Sequence, residues 1–531
     1  MTDTRTGEGL HSSAASRIHA PVPGAFDPLA WWAAHDPNRI AVVDPLRGAE
    51  HSYGALDARA TQWSGALAAM GVVAGDRIAV LAGNRVEYIP LLAGANRLGA
   101  ALVPLNWRLA ASELARVLRD ATPSVLFGED RFRALAERAV AEAAIREPVW
   151  CDLDRDVEPL LQRAKAPGAR VDITPDTAAM LLYTSGSTGL PKGVVMPHRQ
   201  LHWNAVATNL AWELSSHDVG PLASPLFHTG GWGVFTLPLL FCGGRIVMFD
   251  AFDPDHLLAT MRSQHITVAF GVPTQLDMLR DRPSWGEPLP ALRWFVAGGA
   301  PCPQRVRDSV WDAGYHFREG YGLTECGPNC FTTTNAIARA NPGTVGHPLP
   351  FLEMRLIADD GQLVPSGDVG ELQLRGPQMF GGYFNAAERT AEVMTADGWL
   401  RTGDLARRNA DGLWAIRGRR KEMFISGGEN VFPGEVEAAL LNCPGVSEVS
   451  VIGVDDARWG EIGCAVVVRA MGHERLAGTA LIAEARERLA GYKVPRRVIF
   501  VDELPKLGSG KIDRNAVAAL IPIPERVGAV R

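Results

Sequence analysis

The sequence predicts an α/β protein in which a large N-terminal part precedes a smaller C-terminal part. In the first 340 residues, short apolar runs alternate twice with segments of helical period, which predicts two α/β subdomains with parallel sheets. After residue 341 the chain becomes a series of short segments separated by Gly, Pro and Asp, typical of antiparallel hairpins and of a small β-barrel. From residue 421 a compact α/β segment follows.

The individual elements follow from the local patterns. In chain order we predict a strand at 77–81, a helix at 87–97, a strand at 101–105, a helix at 112–118, a strand at 124–127, a strand at 245–248, a helix from Asp255 and a strand at 268–270. Ser112 is the predicted N-cap of its helix. The expected divisions are a flexible tail over 1–23, a large domain over 24–420 and a small domain over 421–531.

Composition excludes several classes of protein. The 531 residues are 47% hydrophobic and 21% charged, with a net charge of -6, so no general attraction to nucleic acid or anionic membranes is expected. No apolar run reaches the roughly 18 residues that span a bilayer, and Asp3 and Glu8 argue against a secretory signal. The seven cysteines contain no C-x-x-C pair, which favours free thiols and a cytoplasmic protein.

A loop rich in Gly, Ser and Thr is the most informative motif. The string YTSGSTGLPKG over 183–193 follows an apolar, strand-like run and combines glycines, hydroxyls and one lysine. Such a loop can surround phosphate oxygens, because glycines let backbone N–H groups approach while hydroxyls donate and Lys supplies charge. The pattern is not a Walker loop, since Pro191 and Gly193 replace residues that the Walker loop requires.

This string resembles the phosphate-loop signature of the acyl-adenylate-forming superfamily, which includes acyl- and aryl-CoA synthetases. Further segments resemble the landmarks of that superfamily in the same order, at 98–106, 225–228, 298–301, 321–325, 398–405, 417–437 and 505–514. The resemblance covers the chain from about residue 27. It implies a large domain of two α/β subdomains plus a small barrel, capped by a mobile C-terminal domain.

The resemblance also implies roles in ATP binding. Residues expected to contact the nucleotide are Thr184, Ser185, Gly186, Ser187, Thr188, Gly189, Lys192, Gly299, Ala300, Pro301, Tyr321, Gly322, Thr324, Asp404 and Arg419. Among these, Tyr321 offers a face for adenine, Asp404 accepts the ribose hydroxyls and Arg419 is a second ribose or phosphate contact. Glu325 is the expected Mg²⁺ ligand, with Thr184 or Thr324 nearby.

Lys511 is the expected catalytic residue. Attack of a carboxylate on the α-phosphate needs no protein nucleophile, so positioning and neutralisation of charge must supply the catalysis. A lysine can bridge the carboxylate and α-phosphate oxygens as negative charge concentrates there. Thr184 and Glu325 complete the predicted catalytic set.

The acid pocket is expected to be roomy and apolar. Its predicted wall consists of His228, Trp232, Gly298, Gly320, Gly322, Gly327 and Pro328. Residues 227–232 contain no acidic side chain, which argues against an amino-acid substrate because a buried ammonium would lack a partner. A medium or long fatty acid, or an aryl or cyclic acid, fits this wall. His228 is not expected to act as a base, since the acid is already ionised.

Coenzyme A is the expected second substrate. The resemblance implies that rotation at Lys421 swings the small domain, removing Lys511 and bringing Gly427 and Gly428 beside a thiol tunnel. One alternative is an acyl-AMP ligase that loads a carrier protein, although the insertion typical of that subclass is missing between Gly322 and Asp404. Another alternative is a non-catalytic nucleotide-binding module. The resemblance allows a homodimer.

Overall fold

A computed structural model describes residues 26–164, 171–184, 191–456, 458–507 and 511–522. The predicted flexible tail over 1–23 lies outside these ranges. So do six residues of the predicted phosphate loop, 185–190, which include the expected nucleotide contacts Ser185, Gly186, Ser187, Thr188 and Gly189.

The strands are short and recur throughout the described ranges. In chain order they are β1 (Ile40–Asp44), β2 (Ala49–Ser52), β3 (Arg77–Leu81), β4 (Ala101–Pro104), β5 (Val125–Gly128), β6 (Val149–Asp152), β7 (Ala178–Thr184), β8 (Lys192–Pro197), β9 (Val219–Leu222), β10 (Arg245–Met248), β11 (Val268–Gly271), β12 (Trp294–Ala297), β13 (Phe317–Leu323), β14 (Gly327–Thr332), β15 (His347–Pro348), β16 (Glu353–Ile357), β17 (Val369–Arg375), β18 (Leu400–Arg408), β19 (Trp414–Arg419), β20 (Phe424–Ser426), β21 (Glu429–Val431), β22 (Val446–Asp456), β23 (Gly460–Arg469) and β24 (Arg497–Val501).

Helices separate most of the strands. In chain order they are α1 (Pro28–His35), α2 (Tyr53–Ala69), α3 (Tyr88–Arg97), α4 (Ala111–Ala121), α5 (Arg133–Ala143), α6 (Val157–Arg163), α7 (His198–Trp212), α8 (Thr229–Gly233), α9 (Thr236–Cys242), α10 (Pro254–Ser263), α11 (Pro273–Arg280), α12 (Gln304–Asp312), α13 (Asn335–Ala340), α14 (Ala387–Val393), α15 (Pro433–Leu441), α16 (Gly478–Arg486) and α17 (Arg514–Ala519). Short 3₁₀ turns occupy Asp130–Phe132, Thr324–Cys326 and Arg420–Glu422.

Two groups of parallel strands form the frame of the large unit. One sheet has the order β6-β5-β3-β4-β7-β8, and its pairs are parallel except for β7 with β8. The second group consists of the sheets β2-β1-β10-β9 and β11-β12-β13-β14-β15. The early strand β1 pairs with β10 rather than with β3, so the two halves are not strictly successive in the chain. Parallel strands end on the same edge, which brings Thr184, Gly298 and Thr324 to carboxyl-terminal edges, where α/β proteins bind ligands.

Two smaller sheets complete the structure. Where the small barrel was expected, β16-β17-β18-β19 form a four-stranded antiparallel sheet. The C-terminal unit is built on β21-β20-β23-β22, with β24 parallel to β23. The Arg305 guanidinium joins the large and small units by donating to the carbonyls of Leu441 at 3.2 Å and Ser447 at 3.5 Å.

The predicted elements agree with the structure to within one residue at most ends, but the predicted N-cap is wrong. Helix α4 begins at Ala111, so Ser112 lies inside its first turn. The Glu113 carboxylate instead accepts a hydrogen bond from the Ala110 N–H at 2.9 Å, because a side chain at this position reaches back to the start of the helix. Within the described ranges, no helix is both long and apolar enough to cross a bilayer.

Candidate active site

A buried carboxylate lies between two adjacent strands of the four-stranded sheet. Asp404 on β18 is paired in register with Arg419 on β19, and Arg419 Nε lies 2.8 Å from Asp404 Oδ1. The Tyr321 hydroxyl donates to Asp404 Oδ2, and Arg419 Nη1 donates to the Thr402 carbonyl at 2.9 Å. Burial raises the pKa of Asp404, while the Arg419 charge opposes that rise. The result is an oriented acceptor of the kind that binds ribose hydroxyls.

Tyr321 connects this carboxylate to the end of β13. Burial raises the pKa of the Tyr321 hydroxyl well above its ordinary value, and the Asp404 charge adds to the effect, so Tyr321 stays a proton donor. Its ring meets Phe331 edge-on, with the centroids 5.8 Å apart. Tyr321 was predicted as a face for adenine, and the structure adds a second role because its hydroxyl orients Asp404.

The predicted metal ligand stands beside the phosphate-loop strands. Glu325 lies in the 3₁₀ turn after β13, and its Oε1 accepts from the Tyr383 hydroxyl at 2.8 Å. Lys192 Nζ lies 4.7 Å from the centroid of the Tyr383 ring, and Lys192 pairs with Thr184 across β7 and β8. Tyr383 therefore joins Glu325 to the strands that flank the loop, a role that no sequence pattern signalled.

The donor groups at this edge fit Mg²⁺. Among the residues that the structure describes, no three or more His, Cys, Asp or Glu side chains cluster as a metal cage. Mg²⁺ is usually held by one or two carboxylates together with substrate phosphates and water, so a single Glu beside hydroxyl groups suits it. Glu325, with Thr184 or Thr324, would hold the ion.

Lys511 extends the electrostatic network from the small unit. Its carbonyl accepts from the Leu507 N–H at 2.8 Å, which closes a turn before α17. Desolvation lowers the pKa of Lys511 and the charge of Arg419 lowers it further, while Asp404 and Glu325 oppose the decrease. The charges of the Asp404 and Glu325 carboxylates therefore act on the Lys511 ammonium, as the adenylation step would require.

His228 lies on the other side of this network, just before α8. Burial lowers the pKa of His228 to about 4, and the cations Lys511 and Arg108 add to the decrease. Its Nε2 is buried, and no hydrogen-bond partner for it occurs among the described residues. His228 is thus a neutral side chain at neutral pH, with one ring nitrogen available to a ligand.

A slot beside His228 is lined by glycines and one aromatic ring. A methyl group at Gly230 would lie 3.5 Å from the Phe270 ring, and one at Gly298 would lie 3.5 Å both from that ring and from the Gly320 carbonyl oxygen. These are ordinary contact distances, so a methyl group would fit at either glycine. Phe270 was not predicted as a pocket residue, although its place near the carboxyl end of the parallel strand β11 was a usable signal.

Four predicted wall residues are closely packed. Trp232 is fully buried, and its indole N–H donates to the Leu226 carbonyl at 2.6 Å, so it belongs to the core. Gly327 has φ +83°, and a methyl group there would lie 2.6 Å from Asn204 Oδ1. That contact indicates close packing rather than open pocket space. At Gly322 a methyl group would lie 2.2 Å from the Pro328 backbone, so both residues are closely packed.

The remaining predicted residues occupy turns and loops. Gly299, Ala300 and Pro301 form an exposed loop after β12, with φ +83° at Gly299. Lys421 lies in the exposed 3₁₀ turn between β19 and β20. Gly427 and Gly428 form the tip of the β20–β21 hairpin, with φ +62° and +86°, and Gly427 packs against Trp459.

Buried histidines give a prediction for the pH dependence of stability. Burial lowers the pKa of His198 from 6.5 to about 4. Between these values the unfolded chain binds a proton that the native chain does not, so the free energy of unfolding decreases as pH falls from 6.5 towards 4. The loss should reach about 3 kcal/mol for such a group. Thermal melts of His198→Gln should show a flatter pH dependence than wild type, with the exposed His217→Gln as the control; equal slopes would contradict the assignment.

The comparisons with known proteins agree with this geometry. Residues 29–384 match the AMP-binding enzyme family, and residues 435–511 match the AMP-binding enzyme C-terminal domain. A feruloyl-CoA synthase of an Amycolatopsis species is 40% identical, with 88% of this chain and 94% of the relative covered. An indoleacetate–CoA ligase of Aromatoleum aromaticum is 37% identical, with 92% of this chain and 96% of the relative covered.

A solved structure supports the same conclusion. The o-succinylbenzoate coenzyme A synthetase from Bacillus subtilis, in complex with ATP and magnesium ion, is 28% identical, with a TM-score of 0.82, and the comparison covers 92% of this chain and 99% of that chain. The expected fold, with a large N-terminal domain and a small C-terminal domain, is confirmed. Since the first family match spans more than half of the chain, the protein belongs to the AMP-binding enzyme family.

Proposed function

We propose that this protein is an AMP-forming acid–CoA ligase whose substrate is an aryl carboxylic acid. The observation that carries the proposal is the buried Asp404 carboxylate, oriented by the Tyr321 hydroxyl and by Arg419. Asp404 and Glu325 also act electrostatically on Lys511 of the small unit, and Lys511 acts on His228. Asp404, Glu325, Lys511 and His228 would surround the ribose, the phosphates and the carboxylate of one substrate complex. A nucleotide-binding module without catalysis would not need a lysine from the small unit at this place.

The residues divide the chemistry between two half-reactions. In the first, an oxygen of the substrate carboxylate attacks the α-phosphorus of ATP, the bond to the β-phosphate oxygen breaks, and pyrophosphate leaves. Asp404 would hold the ribose, and Lys511 would neutralise the charge that gathers between the carboxylate and the α-phosphate. Mg²⁺, when bound, would neutralise phosphate charge. In the second half-reaction the thiol of coenzyme A attacks the acyl carbon, AMP leaves, and the thiol loses its proton.

The shape of the slot supports an aryl acid over an aliphatic one. The partly buried Phe270 ring has its Cε1 and Cε2 atoms against Gly230 and Gly298, which contribute no side chain to cover it. Offset stacking of a planar substrate on such a ring adds roughly 0.5–1.5 kcal/mol to the area that it buries. The similarity to a feruloyl-CoA synthase and to an indoleacetate–CoA ligase, both named for aromatic acids, supports the same substrate class.

Replacement of Phe270 tests the choice of acid. Phe270→Leu keeps an apolar side chain but removes the ring, so we expect KM for cinnamic-type acids to rise about fivefold, in keeping with a loss of stacking near 1 kcal/mol. The KM for a medium-chain fatty acid should change little, because no stacking is lost. Steady-state kinetics on both acids check this, and an equal change for the two acids would contradict the stacking role.

The reaction itself is tested by pyrophosphate release. Fatty, aryl and amino acids would each be assayed with and without coenzyme A. Turnover that depends on an aryl acid and on coenzyme A supports the proposal. Release limited to about one equivalent in the presence of coenzyme A would indicate a carrier protein as acceptor. No release with any acid, from a protein that binds ATP, would favour the non-catalytic alternative.

Several finer expectations belong to the same proposal. They are phosphate binding by Ser185, Gly186, Ser187, Thr188 and Gly189, a hinge at Lys421, a thiol tunnel at Gly427 and Gly428, a domain boundary at residue 421, a cytoplasmic location and a homodimer. A hinge near Lys421 is compatible with its exposed turn between two sheets. Crosslinking the small unit to the large one would test the expected swing, since it should spare adenylation and block thioester formation.

A further inference from the structure

The 3₁₀ turn that carries Glu325 is held by hydrogen bonds at three successive carbonyls. The Gln200 side-chain amide donates to the Thr324 carbonyl at 2.7 Å. The Phe380 backbone N–H donates to the Glu325 carbonyl at 2.7 Å, and the Gln378 side-chain amide donates to the Cys326 carbonyl at 2.7 Å. Two of the three donors are therefore side chains, placed on either side of the residue that would bind the metal.

Both glutamines are fully enclosed by the protein. Gln200 is 0% exposed and Gln378 is 1% exposed. The Oε1 atom of each is buried, and no hydrogen-bond partner for either oxygen occurs among the described residues. A buried polar atom without a partner lowers stability, and an apolar side chain of similar volume would avoid that cost. The contribution of each glutamine therefore comes from its amide donor, which bonds the backbone around Glu325; Gln378 also donates to the Asn329 carbonyl at 3.0 Å.

Hydrogen bonds join the two segments that contain the glutamines. Arg199, next to Gln200 on α7, donates to the carbonyls of Pro377 at 3.1 Å and Phe380 at 3.2 Å, and also to that of Met379. The first turn of α7 thus fixes the segment that contains Gln378. Movement of the Glu325 turn would have to break contacts on both sides at once.

We propose that Gln200 and Gln378 are positioning residues that set the orientation of the Glu325 carboxylate for magnesium-bound ATP. The inference rests on the proposed function, because it assumes that Glu325 is the metal ligand. Neither amide touches the substrate; each acts through the backbone of the turn. Groups that orient a metal ligand in this way commonly contribute about 10- to 100-fold to metal affinity or activity.

The test uses the full chain and the variants Gln378→Met and Gln200→Met, which keep the volume but remove the amide donor. Calorimetry would measure ATP affinity with Mg²⁺ and, separately, with EDTA. We expect the affinity in Mg²⁺ to fall about tenfold or more in each variant, while the affinity in EDTA stays near the wild-type value. The melting temperature should fall in each variant, because a buried carbonyl loses its donor. The control is Asn209→Leu, since Asn209 makes a similar amide bond to the Pro238 carbonyl elsewhere on α7.

Different results would contradict the role of the two glutamines and the proposed metal role of Glu325. Equal losses of affinity with and without Mg²⁺ would show a general structural role and overturn the inference, as would wild-type affinity in both variants. If Gln378→Met does not fold, Gln200→Met on another element decides the question. If the wild-type protein binds ATP equally well with Mg²⁺ and with EDTA, that result would instead contradict the metal role of Glu325. Thioester formation from supplied acyl-adenylate should be unchanged in both variants.

Discussion

Lys511→Ala is expected to slow adenylation about 100- to 1000-fold, the usual cost of removing one preorganised group that stabilises charge in a transition state. The physical reason is the position of Lys511 in the field of Asp404 and Glu325, beside the uncharged His228. Without the ammonium, the carboxylate and the α-phosphate would approach each other with their repulsion uncompensated. Acid-dependent exchange of pyrophosphate into ATP measures this step directly.

Two controls test whether the effect of Lys511→Ala is confined to adenylation: a substitution of another lysine, and an assay of the second half-reaction. Lys506 lies on the same small unit and pairs with Glu448 at 2.8 Å on the surface, so Lys506→Ala should keep the wild-type exchange rate. With acyl-adenylate supplied together with coenzyme A, Lys511→Ala should form thioester at nearly the wild-type rate, because its role belongs to the first half-reaction. Equal loss of both half-reactions would refute the proposed role.

Asp404→Ala is expected to reduce kcat/KM for ATP by about 100-fold or more, since hydrogen bonds to a charged group are worth about 1.5–3 kcal/mol each and two ribose hydroxyls lose their acceptor. The substitution also leaves Tyr321 and Arg419 without their shared partner. We therefore expect a lower melting temperature as well. Steady-state kinetics with ATP as the varied substrate measure the first effect, and thermal unfolding measures the second.

Deoxy nucleotides distinguish ribose binding from general damage to the site. Wild type should use 2′-deoxy-ATP and 3′-deoxy-ATP much less well than ATP, because each lacks one hydroxyl for Asp404. Asp404→Ala should lose most of that discrimination, since it no longer has the acceptor. If Asp404→Ala keeps the wild-type preference for ATP over the deoxy nucleotides, Asp404 stabilises the fold and another group binds the ribose hydroxyls.

Short apolar runs and their alternation with helical segments predicted most of the strands and helices correctly. Buried strands such as β3 and β10 are short apolar runs, and their bounds match the predicted ones. The alternation of strands and helices gave the two α/β groups and the small C-terminal unit. The pairing of β1 with β10 was not predictable, because register between distant strands depends on tertiary packing that no local pattern encodes.

Residues inside a recognisable motif could be assigned to the candidate site from the sequence, and residues outside the motifs could not. Asp404, Glu325 and Lys511 lie in such motifs, and the charges of both carboxylates act on the Lys511 ammonium. Phe270, Tyr383 and Gln378 come from three other segments and act through side-chain geometry, which the sequence alone does not describe. Trp232 was expected in the pocket wall; the structure buries its ring completely and bonds its indole N–H to the Leu226 carbonyl.

Strand β13 has a consequence for the evolution of substrate range. Gly320 borders the acid slot, its neighbour Tyr321 orients the ribose-binding carboxylate, and Glu325 follows after the strand ends. A substitution on this strand that altered the choice of acid would thus disturb nucleotide binding as well. Phe270 and Gly230 lie on other elements, β11 and α8. Diversification of this enzyme should therefore proceed most readily at these two positions, where a new acid can be accommodated while the use of ATP is preserved.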